Sequence, residues 1–245
     1  MAAGSNIFTT LSKNPQVRTM FAYSRKELPM SEKLKPLRSE DTASWPKQYP
    51  SGAEVFISAL GTTRGQAGSF ENQRKIDYDL NLELAKAAKE AGTKAYVLVS
   101  SGGSSSSSMF GYMKMVSEDR HDQLPEEILQ QVNKCANGFD CLQKGELEDA
   151  VKNLGFEHCV ILRPGLLVGA RSDTRMAEAA MRSVANVAGS VSGNKLKDFW
   201  AQDADVVARA AVRAGLDCIE GKENEKIRVL DQADIVRLGR TEWKD

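Results

Sequence analysis

The stretch AEVFISALGTTRGQAGSFENQRKIDYDLNLELAKAAKEAGTKAYVLVSS, residues 53–101, decides the fold. Ala53 to Leu60 is an apolar run of strand length without polar alternation, which predicts a strand buried on both faces of a parallel sheet. Lys75 to Gly92 carries Ile76, Leu80, Leu84, Ala87 and Ala88 on one face of a helix, and Gly92 supplies its stop. Lys94 to Ser101 is a second buried strand. Strand, helix and strand at this spacing make a βαβ unit with a right-handed crossover.

Working outward, His158 to Gly165 reads as another buried strand. Asp203 to Leu216 reads as a helix with Asp203 near its cap, and Lys226 to Leu230 as a last strand. Upstream, Ser5 to Leu11 reads as a helix and Arg18 to Tyr23 as a strand. The whole predicts one α/β domain over residues 1–245, a doubly wound parallel sheet. Ligands in such sheets bind at the carboxyl ends of the strands. Here those ends are Gly61–Arg64, Ser100–Gly103 and Arg163–Gly165, each polar or glycine-rich directly after an apolar run.

Composition narrows the function. The 33 basic and 33 acidic side chains cancel, which argues against a nucleic-acid binder driven by bulk charge. No apolar run approaches the roughly 20 residues that span a bilayer, so any membrane association is expected to be peripheral. Cys135, Cys141, Cys159 and Cys218 form no Cys-x-x-Cys, and His121 and His158 are the only histidines, an inventory that argues against zinc. Isolated thiols suit a reducing compartment. The first 26 residues hold Lys13, Arg18, Arg25 and Lys26, several Ser and Thr, and no acid, a pattern compatible with a mitochondrial targeting segment. Ser104 to Ser108 is a low-complexity tract that reads as a loop.

Ser100 or Ser101 ends a strand, and Tyr112 follows. A tyrosine that gives or takes a proton at neutral pH needs a nearby cation to stabilise its anion, and a Lys one helical turn later supplies it. Four residues after Tyr112, however, stands Val116.

FISALGTTRGQAGS, KIDYDLNLELAKAAKEAG, YVLVSSGG, FGYMKM, KGELEDAV and VILRPGLLVGAR, taken as an ordered set, resemble the fungal "found in mitochondrial proteome protein 52" family. Its members are atypical short-chain dehydrogenase/reductases similar to the metazoan Tat-interacting oxidoreductase-like proteins. The resemblance covers most of the chain and implies a Rossmann-like NAD(P)-binding domain, an oxidoreductase-like activity on an unknown small molecule, and a mitochondrial location, peripheral on the outer membrane. The family pattern reads Tyr-Met-Lys-Met-Lys-Gly-Glu. In this chain Tyr112–Met115 and Lys144–Glu146 carry its two halves, and removing residues 116–143 brings Lys144 four positions after Tyr112. Ser101, Tyr112 and Lys144 are thereby the implied catalytic residues. The intervening segment reads either as a translated intron or as a genuine insertion loop. The first reading rests on Val116-Ser117-Glu118 and Cys141-Leu142-Gln143, which can be encoded as splice-donor-like and acceptor-like ends, and on Ala136-Asn137, which can be encoded as a branch site.

The resemblance also implies a glycine-rich phosphate loop after a first strand. Gly4 matches its last glycine, and that first strand is expected to be missing, which would leave two inner sheet edges unpaired. Arg25, just past the second strand, suits a ribose 2′-phosphate, so NADP is expected rather than NAD. Asp41 is placed near the adenine. Thr62, Thr63 and Arg64 line the cofactor, Arg163, Pro164 and Gly165 border nicotinamide and substrate, and residues 171–200 form the substrate cap. Three readings follow: an NADP-dependent oxidoreductase, a non-catalytic NADP-binding sensor or scaffold, and an inactive product of a mis-spliced gene.

Overall fold

The computed structural model describes residues 2–102, 138–168 and 201–243. Its centre is β4 (Ala95–Val99), whose five residues AYVLV are buried almost throughout. The run offers no polar face, so both faces must be covered. Ala95 and Val97 join one apolar layer and Tyr96 and Leu98 the other, as the two-residue period of a strand requires.

In chain order the elements begin with α1 (Ala2–Lys13), β1 (Met20–Ser24) and β2 (Leu34–Arg38). β3 (Val55–Ser58), the short α2 (Arg64–Ala67) and α3 (Phe70–Arg74) precede a π turn at Lys75–Leu80, which leads into α4 (Asn81–Glu90) and β4. Then come α5 (Gly138–Asn153), β5 (His158–Leu162), β6 (Leu166–Val168), β7 (Ala201–Asp203), α6 (Ala204–Ile219), β8 (Ile227–Leu230) and α7 (Gln232–Val236), the last followed by a π turn at Arg237–Thr241.

All the pairings among these strands are parallel. The main sheet has the order β3-β4-β5-β8, and β1-β2 and β6-β7 are separate pairs. α6 lies on one face of the main sheet with α1 beside it, and Ile7, Val160, Leu162 and Val207 belong to that layer. α4 and α5 cover the other face, where Phe156 stacks on Tyr96 at 5.2 Å between centroids. A third cluster, around Trp45, Leu80 and Leu84, joins Tyr23 of β1 to Phe56 of β3.

Several expectations need correcting. α1 starts at Ala2, so Gly4 lies inside its first turn rather than ahead of it. β3 is half-buried along most of its length, because only one of its edges is paired among the described residues. The helix expected from Lys75 starts earlier, at Phe70, and the π turn shifts its phase. The buried positions are therefore Asp77, Leu80, Asn81, Leu84, Ala85 and Ala88, while Ile76 and Ala87 are only half-buried. Gly92 ends α4 as expected, with a φ of 82° that only glycine adopts without strain. Asp203 stands at the cap of α6, but its carboxylate is turned to Arg240, 3.5 Å away, rather than to the helix amides.

Candidate functional site

The carboxyl ends of β3, β4 and β5 are knitted together by buried polar groups. After β3, the Thr62 amide donates to Asp77 Oδ1 at 2.6 Å, and Gln73 Nε2 donates to Asp77 Oδ2 at 3.2 Å. Ser58 Oγ donates to Asn81 Oδ1 at 2.5 Å, and Asn81 Nδ2 donates to the Leu60 carbonyl at 3.3 Å. Asp77 and Asn81 therefore hold the loop that carries Thr62 and Thr63. Thr63 in turn caps α2, whose first residue is Arg64: its carbonyl accepts from Gln66 and Ala67, both at 2.9 Å.

The second knot is centred on Glu148, whose side chain is 1 % exposed. Ser100 Oγ at the end of β4 donates to Glu148 Oε1 at 2.6 Å. Arg163, just past β5, donates from Nε to both carboxylate oxygens at 3.2 Å and from Nη2 to Oε2 at 2.5 Å. This charge-assisted fork raises the pKa of the Arg163 guanidinium further. The loops themselves touch, since the Gly102 amide donates to the Pro164 carbonyl at 2.6 Å. A Cβ on Gly102 would come within 3.1 Å of that same oxygen.

Ser101 is half-buried and stands between Ser100 and Gly102 in this junction. Lys144 lies on α5 one turn before Glu148 and is half-buried. Tyr112 lies outside the described residues, as do residues 116–137 of the intervening segment and the candidate cap at 171–200. Residues 138–143 are described, and α5 runs unbroken from Gly138 through Lys144. The residue one turn before Lys144 in this helix is thus Asp140.

The other candidates divide. Arg25 is exposed immediately beyond β1, at the carboxyl edge of its pair of strands. Gly4 has open space where a Cβ would stand. The Asp41 side chain accepts from the Ala43 amide at 3.0 Å and is committed to capping a 3-10 turn. Arg163 is committed to Glu148. Reading the sequence missed Glu148 altogether, although its position four residues after Lys144 puts the two on one helix face.

Among the described residues no group of His, Cys, Asp and Glu could hold a metal ion. Burial pushes the Cys159 thiol up to about 11 and the Cys218 thiol up to about 12. Both are protonated at neutral pH and serve as core atoms rather than nucleophiles. They are expected to resist iodoacetamide in the folded protein at pH 8 and to react at once in denaturant. A folded thiol that holds its proton more tightly than the unfolded one contributes stability that is complete below about 9 and is lost as pH rises from there through about 11 for Cys159 and about 12 for Cys218. The melting temperature is expected to fall across that window.

No family model matches the sequence. Curated relatives do. The chain is 44% identical over 247 residues to the Aspergillus clavatus "Protein fmp52, mitochondrial", covering 96% of this chain and 93% of the relative. It is 43% identical to the Aspergillus fumigatus protein of the same name over the same shares, and 37% identical to the Neurospora crassa "Protein fmp-52, mitochondrial", covering 99% of this chain and 93% of that one. Among solved structures it is similar to MoeE5 in complex with UDP-glucuronic acid and NAD, at a TM-score of 0.60, 16% identity, 94% of this chain and 73% of that chain. It is also similar to the UDP-glucose 4-epimerase of Thermotoga maritima, at a TM-score of 0.58 and 12% identity, over 99% of this chain and 81% of that one. These structures share the α/β architecture of the main sheet.

Proposed function

The chain belongs to the family of the fungal proteins named fmp52, and from that premise we propose that it is a mitochondrial, NADP-binding, oxidoreductase-like protein of the atypical short-chain dehydrogenase type. The observation that carries this reading is the set of loops at the carboxyl edge of the parallel main sheet. Thr62–Arg64 follow β3, Ser101 follows β4 and Arg163–Gly165 follow β5, while exposed Arg25 follows β1 of the separate β1-β2 pair.

The residues present fit a dinucleotide. Open space at Gly4, at the amino end of α1, lets backbone approach a phosphate, and Arg25 suits a 2′-phosphate better than a bare ribose. Thr62 and Thr63 offer hydroxyls beside the cofactor, with Arg64 at the start of α2. Pro164 and Gly165 border the substrate side, while Arg163 braces that loop through Glu148. The Asp41 side chain is committed to its own turn, so its place at the adenine end rests on the family resemblance alone. A bound nicotinamide supplies the hydride donor or acceptor. Ser101 orients the substrate oxygen, Tyr112 gives or takes its proton, and the Lys144 ammonium stabilises the tyrosinate.

Titration of the 245-residue protein with NADPH and NADH, read by quenching of tryptophan fluorescence, tests this. NADPH is expected to bind at least about tenfold more tightly, a difference of about 1.4 kcal/mol. Arg25→Glu is expected to abolish that preference. Failure to bind either nucleotide overturns the reading.

One observation favours a second reading for this polypeptide. With Asp140, and not a tyrosine, one turn before Lys144, helix α5 does not itself build the tyrosine–lysine pair. A non-catalytic NADP sensor or scaffold then follows. Tight NADPH binding, no turnover over a panel of carbonyl compounds, and no change on Tyr112→Phe would establish it. Among the described residues no helix is long and apolar enough to cross a membrane. We place the protein peripherally on the mitochondrial outer membrane, from which a carbonate wash is expected to release it.

A further inference from the structure

We propose that Arg38, the last residue of β2, is a second specificity-determining residue for the cofactor, sharing with Arg25 the grip on the 2′-phosphate monoester. The proposal rests on the NADP reading of that site and extends it to a residue that reading does not use.

β1 and β2 run parallel and in register, from Met20 beside Leu34 to Ser24 beside Arg38. The ladder continues by one bond, with the Ser39 amide donating to the Ser24 carbonyl at 3.1 Å. Arg25 therefore leaves its strand beside the point where Arg38 ends the next one. Neighbouring strands stand about 4.8 Å apart, so two side chains of arginine length rooted there are long enough to meet on one small anion. Both roots are fixed. Ser24 Oγ accepts from the Lys26 amide at 3.1 Å and closes a turn around Arg25. On the β2 side, Trp45 Nε1 donates to the Ser39 carbonyl at 3.2 Å, and the same indole stacks on Tyr23 of β1 at 5.3 Å between centroids. One aromatic residue thus ties the two strand ends together.

The electrostatics set this pair apart. Every described arginine from Arg74 onward forms an ion pair with a carboxylate. Arg25 and Arg38 are exposed and form none among the described residues, although Glu27 follows the one and Glu40 the other at a distance of two positions. Asp41 is no substitute, because its carboxylate accepts from the Ala43 amide. Arg18 also lacks an acid, but it precedes β1 and so belongs to the opposite end of the strand pair. Two permanent charges this close repel each other, and an anion held between them removes that repulsion. A guanidinium meets phosphate through parallel N–H donors, so two of them suit an anion with about two charges and three open oxygens, which is a phosphate monoester. The diphosphate of a dinucleotide offers fewer free oxygens and less charge at each phosphorus, and a bare ribose offers no charge at all.

Isothermal titration calorimetry of the 245-residue protein with NADPH and NADH tests the assignment, with adenosine 2′,5′-bisphosphate and its 3′,5′ isomer as smaller probes. Arg38→Ala is expected to weaken NADPH binding by about tenfold and to leave NADH within about twofold. Arg38→Lys keeps the charge and loses the fork, so it should recover only part of that loss. Arg25→Ala should keep a reduced preference for NADPH, and the variant lacking both arginines should bind the two nucleotides alike. Adenosine 2′,5′-bisphosphate should follow NADPH through the series, and the 3′,5′ isomer should not respond to Arg38→Ala. Arg38 is exposed and unpaired among the described residues, so the melting temperature of Arg38→Ala should match that of the parent, which separates lost recognition from lost folding. If the parent binds neither nucleotide, or binds both equally, the NADP reading has failed and this proposal falls with it. If a preference exists and declines in Arg25→Ala while Arg38→Ala keeps NADPH within about twofold, the reading stands and Arg38 has no part in it. An equal loss of NADPH and NADH in Arg38→Ala also overturns the proposal, since the residue then acts on a part that both cofactors share.

Discussion

Replacing Arg163 with leucine is expected to destabilise the protein by about 3–5 kcal/mol, the range seen when one partner of a buried ion pair is removed. Glu148 is 1 % exposed, so losing Arg163 leaves it with the Ser100 hydroxyl at 2.6 Å and Lys152 only at 4.0 Å. A carboxylate cannot be rehydrated at that depth without opening the loop junction. The reverse change, Glu148→Leu, is expected to cost less, because the Arg163 side chain is 32 % exposed and can turn toward water. The double variant should be more stable than the sum of the two losses predicts, by about 1–3 kcal/mol, since the pair is replaced by apolar surface of similar volume. Urea melts of the four proteins at neutral pH give the cycle. Equal losses for the two single variants, or strict additivity, would show that the fork is ornamental and that the loops are held by their backbone contacts alone.

This pair also marks where the sequence stops being legible. Strands β4 and β5 can be read because AYVLV and HCVIL have no polar face, and a strand with no polar face has to be central. β3 has the same kind of sequence and is only half-buried, because what covers a strand edge is decided by its neighbours and not by its own side chains. The π turn at Lys75–Leu80 inserts a phase shift that a 3.6-residue template cannot see, which is why Asp77 and Asn81 replace Ile76 and Ala87 on the buried face. Arg163 could be placed at the carboxyl end of a strand from local pattern alone. Its partner on α5 could not, since the pairing exists only once the helix has crossed back over the sheet. Lys144 and Ser101 fall in the described part of the site and Tyr112 does not, so the catalytic reading rests on the family pattern and the cofactor edge on the fold.

Gly239→Ala is expected to be the most damaging single methyl in the described part of the molecule, costing more than about 3 kcal/mol and in the limit preventing folding. The π turn that carries Gly239 lies directly on α6. A Cβ there would stand 2.1 Å from the Val206 carbonyl oxygen and 2.9 Å from its carbon. Those are backbone atoms within a helix and cannot turn aside, so either α6 or the π turn must move. Moving either disturbs Ile235 and Leu238, which are buried beside Val206. Gly215→Ala makes the useful contrast. Its Cβ would come 2.8 Å from Val55 Cγ1, a side-chain atom on β3. That strain is expected to cost about 1–2 kcal/mol, partly offset by the gain of about 1 kcal/mol from replacing a helical glycine. The second change, Val55→Ala, should relieve it. No trimming of the Val206 side chain should rescue Gly239→Ala, because the obstacle is the carbonyl. Thermal melts of the two alanine variants, each with and without its companion substitution, separate the cases. If Val206→Ala restores Gly239→Ala, the helix has enough freedom to yield, and the close seating of the π turn on α6 is not what fixes the carboxyl-terminal end of the fold.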